Sequence, residues 1–234
     1  MRLRGVLATV YLLFNEGYAT SAGERALAPE RCAEALRLAR LLRELLPQEA
    51  GVLGLLALLL LQDARRAART DERGEPVLLA DQDRSRYDRA AVREGVVLLG
   101  TALRRCPVDP DPYVVQAAIA ACHDLTPSWP ETDWGAIVSW YDVLVRTADL
   151  PVTRLNRAVA IGELNGAAAG LDEVDAVAGL EGYPWWHAAR AELLHRLGEH
   201  EAATRAYDRA LELALNEPQR RQLTRRREAV RTRP

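Results

Sequence analysis

Eleven consecutive residues, Gly51 to Leu61 (GVLGLLALLLL), carry no polar side chain. A helix that is apolar all round has no face to give to water, so other elements must surround it. The run is too short to span a bilayer, which takes roughly 20 residues. It is therefore expected to be a central core helix. A chain of 234 residues with 49% hydrophobic composition can supply the neighbours such a helix needs.

The flanking sequence reads as helices throughout. Leu3, Val6, Leu7, Val10, Leu13 and Phe14 recur at helical spacing, and Gly17 suits the left-handed position after a C-terminus. A loop is expected next. Pro29 then opens a second helix that Pro47 closes, and the third is expected over 49–70. Residues 71–85 (DERGEPVLLADQDRS) break the periodicity, which suggests a seam between an N-terminal part, 1–80, and a C-terminal part, 81–234, packed as one continuous domain. Further helices are expected at about 86–105, from Pro112 to His123, at 133–148 with Asp133 or Thr132 as N-cap, at 151–164 and 167–179, from Pro184, and at 199–214 and 217–231. The count is about eleven, with almost no strand.

Short loops between helices of this length imply antiparallel hairpins. Ala203, Tyr207, Ala210 and the later Pro218, with Gly198 at the turn, resemble the second-helix spacing of a tetratricopeptide repeat. Ile137, Tyr141, Leu144 and Pro151, and Ala35, Ala39, Leu42 and Pro47, repeat the theme more loosely. One hairpin cannot bury its own apolar face, so hairpins must stack. The expected class is all-α, with hairpins stacked as a tetratricopeptide-like right-handed solenoid.

Composition excludes several chemistries. All 31 basic residues are arginine, so there is no Schiff-base lysine and no lysine-containing phosphate loop. A net charge of −2 gives no global pull toward nucleic acid or an anionic membrane. Cys32, Cys106 and Cys122 are dispersed and odd in number, which argues against a disulfide framework or a zinc site and fits a reducing compartment. No small-residue cleavage site follows the first apolar pattern, so no secretory leader is expected and a cytoplasmic location is. The serines at 21, 85, 128 and 139 lie in no nucleophile elbow. Cys122, His123 and Asp124 are adjacent on a helix and cannot form a triad among themselves. His187 and His195 stand two helical turns apart, while His195 and His200 flank a turn; ordinary surface or capping roles are expected, with no metal and no cofactor. An enzyme is the reading with least support.

Three features stand out as binding candidates. The segment Asp81-Gln82-Asp83-Arg84-Ser85-Arg86-Tyr87-Asp88 is dense in charge; Ser85 and Asp88 resemble a capping box, and the segment reads either as a charge-networked cap or as a recognition surface. Trp134, Trp140, Trp185 and Trp186 read either as core or as a ligand or partner face, with Trp129 covering a loop. Seven arginines (220, 221, 225, 226, 227, 231 and 233) read either as a solvated face favoured by the helix dipole or as a contact for an acidic partner.

Several stretches together resemble a known group. They are RGVLATVYLLFNEGY (4–18), residues 32–69, LLADQDRSRYD (78–88), QAAIAACH (116–123), DWGAIVSWYDVL (133–144) and LNRAVAIGELNG (155–166). They are similar to the C-terminal extension of a group of extracytoplasmic-function (ECF) sigma factors of RNA polymerase, with Tyr87 where that group has Trp. The resemblance implies a helical tetratricopeptide-like domain behind two promoter-reading sigma domains that lie outside this chain, regulating transcription initiation through protein contacts. It implies the sigma domains or RNA polymerase as partners, with another regulatory protein as a further candidate, and no direct DNA or membrane binding by this chain. On that basis Asn15, Glu16, Tyr18 and residues 81–88 form the expected docking surface. The alternative is a stand-alone helical-repeat sensor or scaffold with a tryptophan-lined pocket.

Overall fold

The computed structural model describes residues 2–18, 28–72, 74–214 and 216–232. Eleven α-helices follow one another: α1 (Arg2–Tyr18), α2 (Pro29–Leu45), α3 (Ala50–Ala64), α4 (Arg89–Arg105), α5 (Pro112–Asp124), α6 (Trp134–Thr147), α7 (Pro151–Asn165), α8 (Ala167–Asp175), α9 (Pro184–Arg196), α10 (His200–Glu212) and α11 (Glu217–Thr232). Single 3-10 turns occur at Arg66–Ala68, Leu79–Asp81 and Arg84–Arg86. No strand occurs among the described residues; Thr70 and Pro76 form one isolated bridge. The all-α class and the expected number of helices are met. The loop expected after Tyr18 falls on residues 19–27, outside the described residues.

Local chemistry sets the helix starts. Pro29, Pro112, Pro151 and Pro184 all stand in a first turn, where a missing N–H costs nothing. Asp111 and Asp88 cap α5 and α4 by accepting backbone N–H groups, and Asp133 accepts the N–H of Ala136 at the start of α6.

The described residues up to Ala136 form one compact unit and those from Ile137 a second. In the first unit, α3 packs against α1, α2, α4 and α5. Every residue from Val52 to Leu61 is buried, as the apolar run requires. Helix α5 approaches so closely that a Cβ on Gly54 would lie 2.6 Å from Val114 Cγ2 and 2.7 Å from its backbone nitrogen. Residues 71–85, expected as a seam, lie within this unit, because α4 returns onto α3 after them.

In the second unit α7 pairs with α8, α8 with α9, α9 with α10, and α10 with α11. Ala203, Tyr207 and Ala210 are fully buried at the spacing the repeat pattern expects, and Gly198 makes the turn at φ 80°. Helices α7 and α8 meet at Gly162 and Gly170, where a Cβ on Gly170 would fall 2.6 Å from the Gly162 Cα.

Several boundaries differ from the periodicity. Helix α3 stops at Ala64, short of the expected residue 70, because Arg65 turns inward. Helix α4 starts at Arg89 because Asp88, not Ser85, is its N-cap; Ser85 sits inside a 3-10 turn capped by Asp83. Helix α8 ends at Asp175 rather than near 179, and Gly179, at φ 83°, follows in the connection to α9. Pro218 lies within the first turn of α11 rather than closing α10.

Candidate functional site

The 81–88 segment alternates between inward and outward residues. Arg84 is buried, and its Nη1 donates to the carbonyls of His123 and Thr126, each at 2.8 Å. Its Nη2 reaches Thr132 Oγ1 at 3.5 Å. Arg65, also buried, donates to the Ala120 carbonyl at 3.0 Å and to Asp124 Oδ1 at 2.5 Å. Two guanidinium groups therefore close the C-terminal end of α5, where helix carbonyls lack partners and the helix dipole favours positive charge. Tyr87 is buried, and its hydroxyl donates to Gln82 Oε1 at 3.0 Å. Asp83 holds the N–H and the hydroxyl of Ser85, and Asp88 holds the N–H groups of Ala90 and Ala91. Asp81 and Arg86 stay exposed.

Aromatic rings and a histidine cover this clamp. His123 stacks on Trp129 with ring centroids 5.9 Å apart, and Trp134 stands edge-on to both rings. Burial, with Arg65 and Arg84 nearby, holds the His123 imidazole down to about 3. Burial pushes the Asp124 carboxyl up to about 6, against the opposing pull of Arg65, Arg84 and Arg89. His123 Nδ1 and Asp124 Oδ2 have no hydrogen-bond partner among the described residues.

Asn15, Glu16 and Tyr18 lie at the end of α1. Asn15 lies beside the Tyr11 phenol, which donates to Gln116 Oε1 at 3.2 Å, and Glu16 pairs with Arg31 at 3.1 Å. The Tyr18 ring stacks on Phe14, and the Arg69 guanidinium sits 3.2 Å from its centroid. Burial lowers Arg69 to about 10. A short relay joins Tyr18 to the 81–88 segment. The Arg69 carbonyl accepts the N–H of Val77, and the Val77 carbonyl accepts Gln82 Nε2.

Trp134 belongs to the His123 cluster of the first unit. Trp185 and Trp186 pack against two different core clusters of the second, and Trp186 Nε1 donates to the Val174 carbonyl at 3.0 Å. Trp140 is half-buried on α6. The arginines of α11 mostly tie it to its neighbours: Arg226 to Glu192, Arg227 to Asp208, and Arg220 to the carbonyls of Leu211 and Ala214. Arg221 pairs with Glu217 within the helix. Arg233 lies outside the described residues, as does the side chain of Arg231. No three His, Cys, Asp or Glu side chains converge as a metal site among the described residues.

The second unit carries a cleft that the sequence reading missed. Two adjoining hollows of about 350 and 520 Å³ run between α6, α7 and α8 and share Arg157, Glu173 and Ala176 in their walls. Val138, Val145, Ile161, Ala169 and Val177 supply apolar lining. Arg146 and Arg154 line the first hollow, and Asn165 and Asp172 line the second. Arg157 spans the cleft, bonded to Asp142 at 2.7 Å and Glu173 at 2.9 Å. From Arg154 to Asn165 the cleft follows α7 for about 16 Å at the helical rise. A signal was present: Asp142 and Arg146, Arg154 and Arg157, and Asp172 and Ala176 are three or four apart on their helices and share a face.

Residues 2–103 match the model of a family of unknown function, DUF6596. The DUF6596 segment covers α1 to α3 and nearly all of α4, and it contains both sequence motifs joined by the Tyr18–Arg69 relay. The second unit lies beyond it. An uncharacterised protein of Rhizobium meliloti (strain 1021) is 43% identical over 216 residues, covering 92% of this chain and 51% of that protein. The chain thus spans about half the length of that curated relative. Among the described residues no helix is long and apolar enough to cross a membrane.

Proposed function

We propose that this chain is a regulatory protein-interaction module of an ECF-type RNA polymerase sigma factor, working in the cytoplasm by binding rather than catalysis. The observation that carries the reading is the α6–α8 cleft, an elongated hollow with apolar lining and charged walls, a form suited to a segment of another polypeptide. The segments that resemble sigma-factor extensions supply the partner: the sigma domains, or the polymerase they engage. The relative, about twice as long as the stretch it shares with this chain, has room for such domains.

On this reading the 81–88 segment does two jobs. Arg84 and Tyr87 hold the first unit together, and Asp81 and Arg86 face outward for a partner. The chain itself makes no contact with promoter DNA.

The test is direct association of the purified chain with the separately expressed sigma domains of a full-length relative, followed by titration calorimetry. Saturable binding that weakens in Arg146→Glu/Arg154→Glu, or in Asp81→Ala/Arg86→Ala, supports the proposal. Absence of binding to both the sigma domains and polymerase core overturns it. Each hollow of the cleft, about 350 and 520 Å³, also falls in the range of small-ligand sites. A metabolite that raises the melting temperature, with no polypeptide partner found, would favour the sensor reading.

A further inference from the structure

The turn between α9 and α10 brings two imidazoles within hydrogen-bond distance of each other. His195 stands at the end of α9 and His200 opens α10. Gly198, at φ 80°, reverses the chain between them. The Glu199 N–H bonds the Leu194 carbonyl and the His200 N–H bonds the Gly198 carbonyl, so the backbone fixes both Cα positions. The two Nδ1 atoms lie 3.2 Å apart, with ring centroids 5.2 Å apart and planes inclined by 51°. Both residues are half-buried, which leaves the pair reachable from solvent.

We propose that His195 and His200 form a two-point chelate for a divalent transition-metal ion of the zinc, nickel or copper class. Two metal–nitrogen bonds of about 2.05 Å separated by 3.2 Å subtend about 100° at the metal, between the octahedral and tetrahedral angles. Each lone pair swings off the nitrogen–nitrogen line by about 40°, within the broad χ2 range of histidine. In the metal-free pair one Nδ1 carries the proton and donates it to the other. On binding, that ring moves its proton to Nε2 and offers Nδ1 as a lone-pair donor, so both imidazoles stay neutral and no proton need leave the protein. The remaining coordination positions fall to water or to a group from another molecule.

The test uses the full chain, prepared without a histidine tag, titrated with Cu²⁺ and separately with Zn²⁺ at pH 7.5. The expected result is one equivalent of Cu²⁺ with two nitrogen couplings in its electron paramagnetic resonance spectrum. His195→Gln and His200→Gln should each weaken binding roughly tenfold or more, because a lone imidazole loses the chelate advantage. His187→Gln should not. Side-chain ¹⁵N NMR of the unaltered chain provides a readout free of folding effects: Zn²⁺ should move both Nδ1 resonances together. The proposal is overturned by Cu²⁺ binding that survives both substitutions, by no saturable binding up to about 1 mM, or by Zn²⁺ leaving either Nδ1 resonance in place.

Discussion

Breaking the Arg65–Asp124 pair tests whether the arginine clamp holds the first unit together. Asp124 is 0% exposed and Arg65 6%, and the pair is 2.5 Å apart. Asp124→Ala leaves a buried guanidinium with the Ala120 carbonyl as its remaining acceptor, a change that costs about 3–5 kcal/mol. For a unit of this size that lowers its melting temperature by roughly 10–17 °C. Arg65→Ala should cost a similar amount, since it strands the carboxylate and the carbonyl. In Arg65→Met/Asp124→Leu no charge is stranded. The expected loss drops to about 1 kcal/mol, mostly the missing bond to Ala120. The assay is urea unfolding at pH 7.5, above the carboxyl at about 6, followed by the fluorescence of Trp129 and Trp134 beside the clamp. Single variants losing under about 1 kcal/mol, or a double variant as unstable as the sum of the singles, would refute the reasoning.

Arg84→Ala should destabilise the same unit by about 2–3 kcal/mol, and Arg84→Lys should recover little, because a single ammonium cannot reproduce the fork that serves two carbonyls and a hydroxyl; denaturant midpoints check both. His123 is held neutral down to about 3, while its unfolded counterpart takes a proton below 6.5, so its contribution is complete above 6.5 and is lost as pH falls toward 3. Asp124 acts in the opposite sense, contributing below 3.8 and losing that contribution as pH rises to about 6. His123→Leu should therefore gain stability relative to the parent as pH drops from 6.5 toward 4, by up to about 1.4 kcal/mol per pH unit, measured by urea unfolding across that range. Gly54→Ala should cost the first unit about 1–3 kcal/mol, read from its denaturant midpoint, since the added methyl meets the Val114 backbone at 2.7 Å.

The sequence made the helices legible because their signals are local. Proline in a first turn, aspartate before it and glycine at a turn act within a few residues of where they stand. The central place of α3 was also readable, since an apolar run admits no other packing. The role of 81–88 was not, because Arg84 acts on carbonyls about forty residues away. A charge-dense octapeptide reads the same whether its guanidinium faces water or a helix end. The expected capping box shows the same limit: Ser85 and Asp88 have the right residue types, yet the chain bends once more before the helix begins. The cleft escaped notice because its lining is spread over three helices, with ordinary surface residues on each.

The enclosure of α3 has a consequence for motion. Four helices of its own unit pack against it, so the amides of its buried stretch, Leu53 to Leu61, cannot meet water through fraying or the opening of a single hairpin. Its amide protons should exchange with deuterium only when the whole first unit opens, at one common free energy equal to that unit's stability. Helix α2, which buries only Cys32, Ala35 and Ala39, can exchange through smaller openings. Slow exchange is thus expected to be concentrated in a single segment near residues 52–61, and the rate measured there reports the cooperative stability of everything wrapped around it.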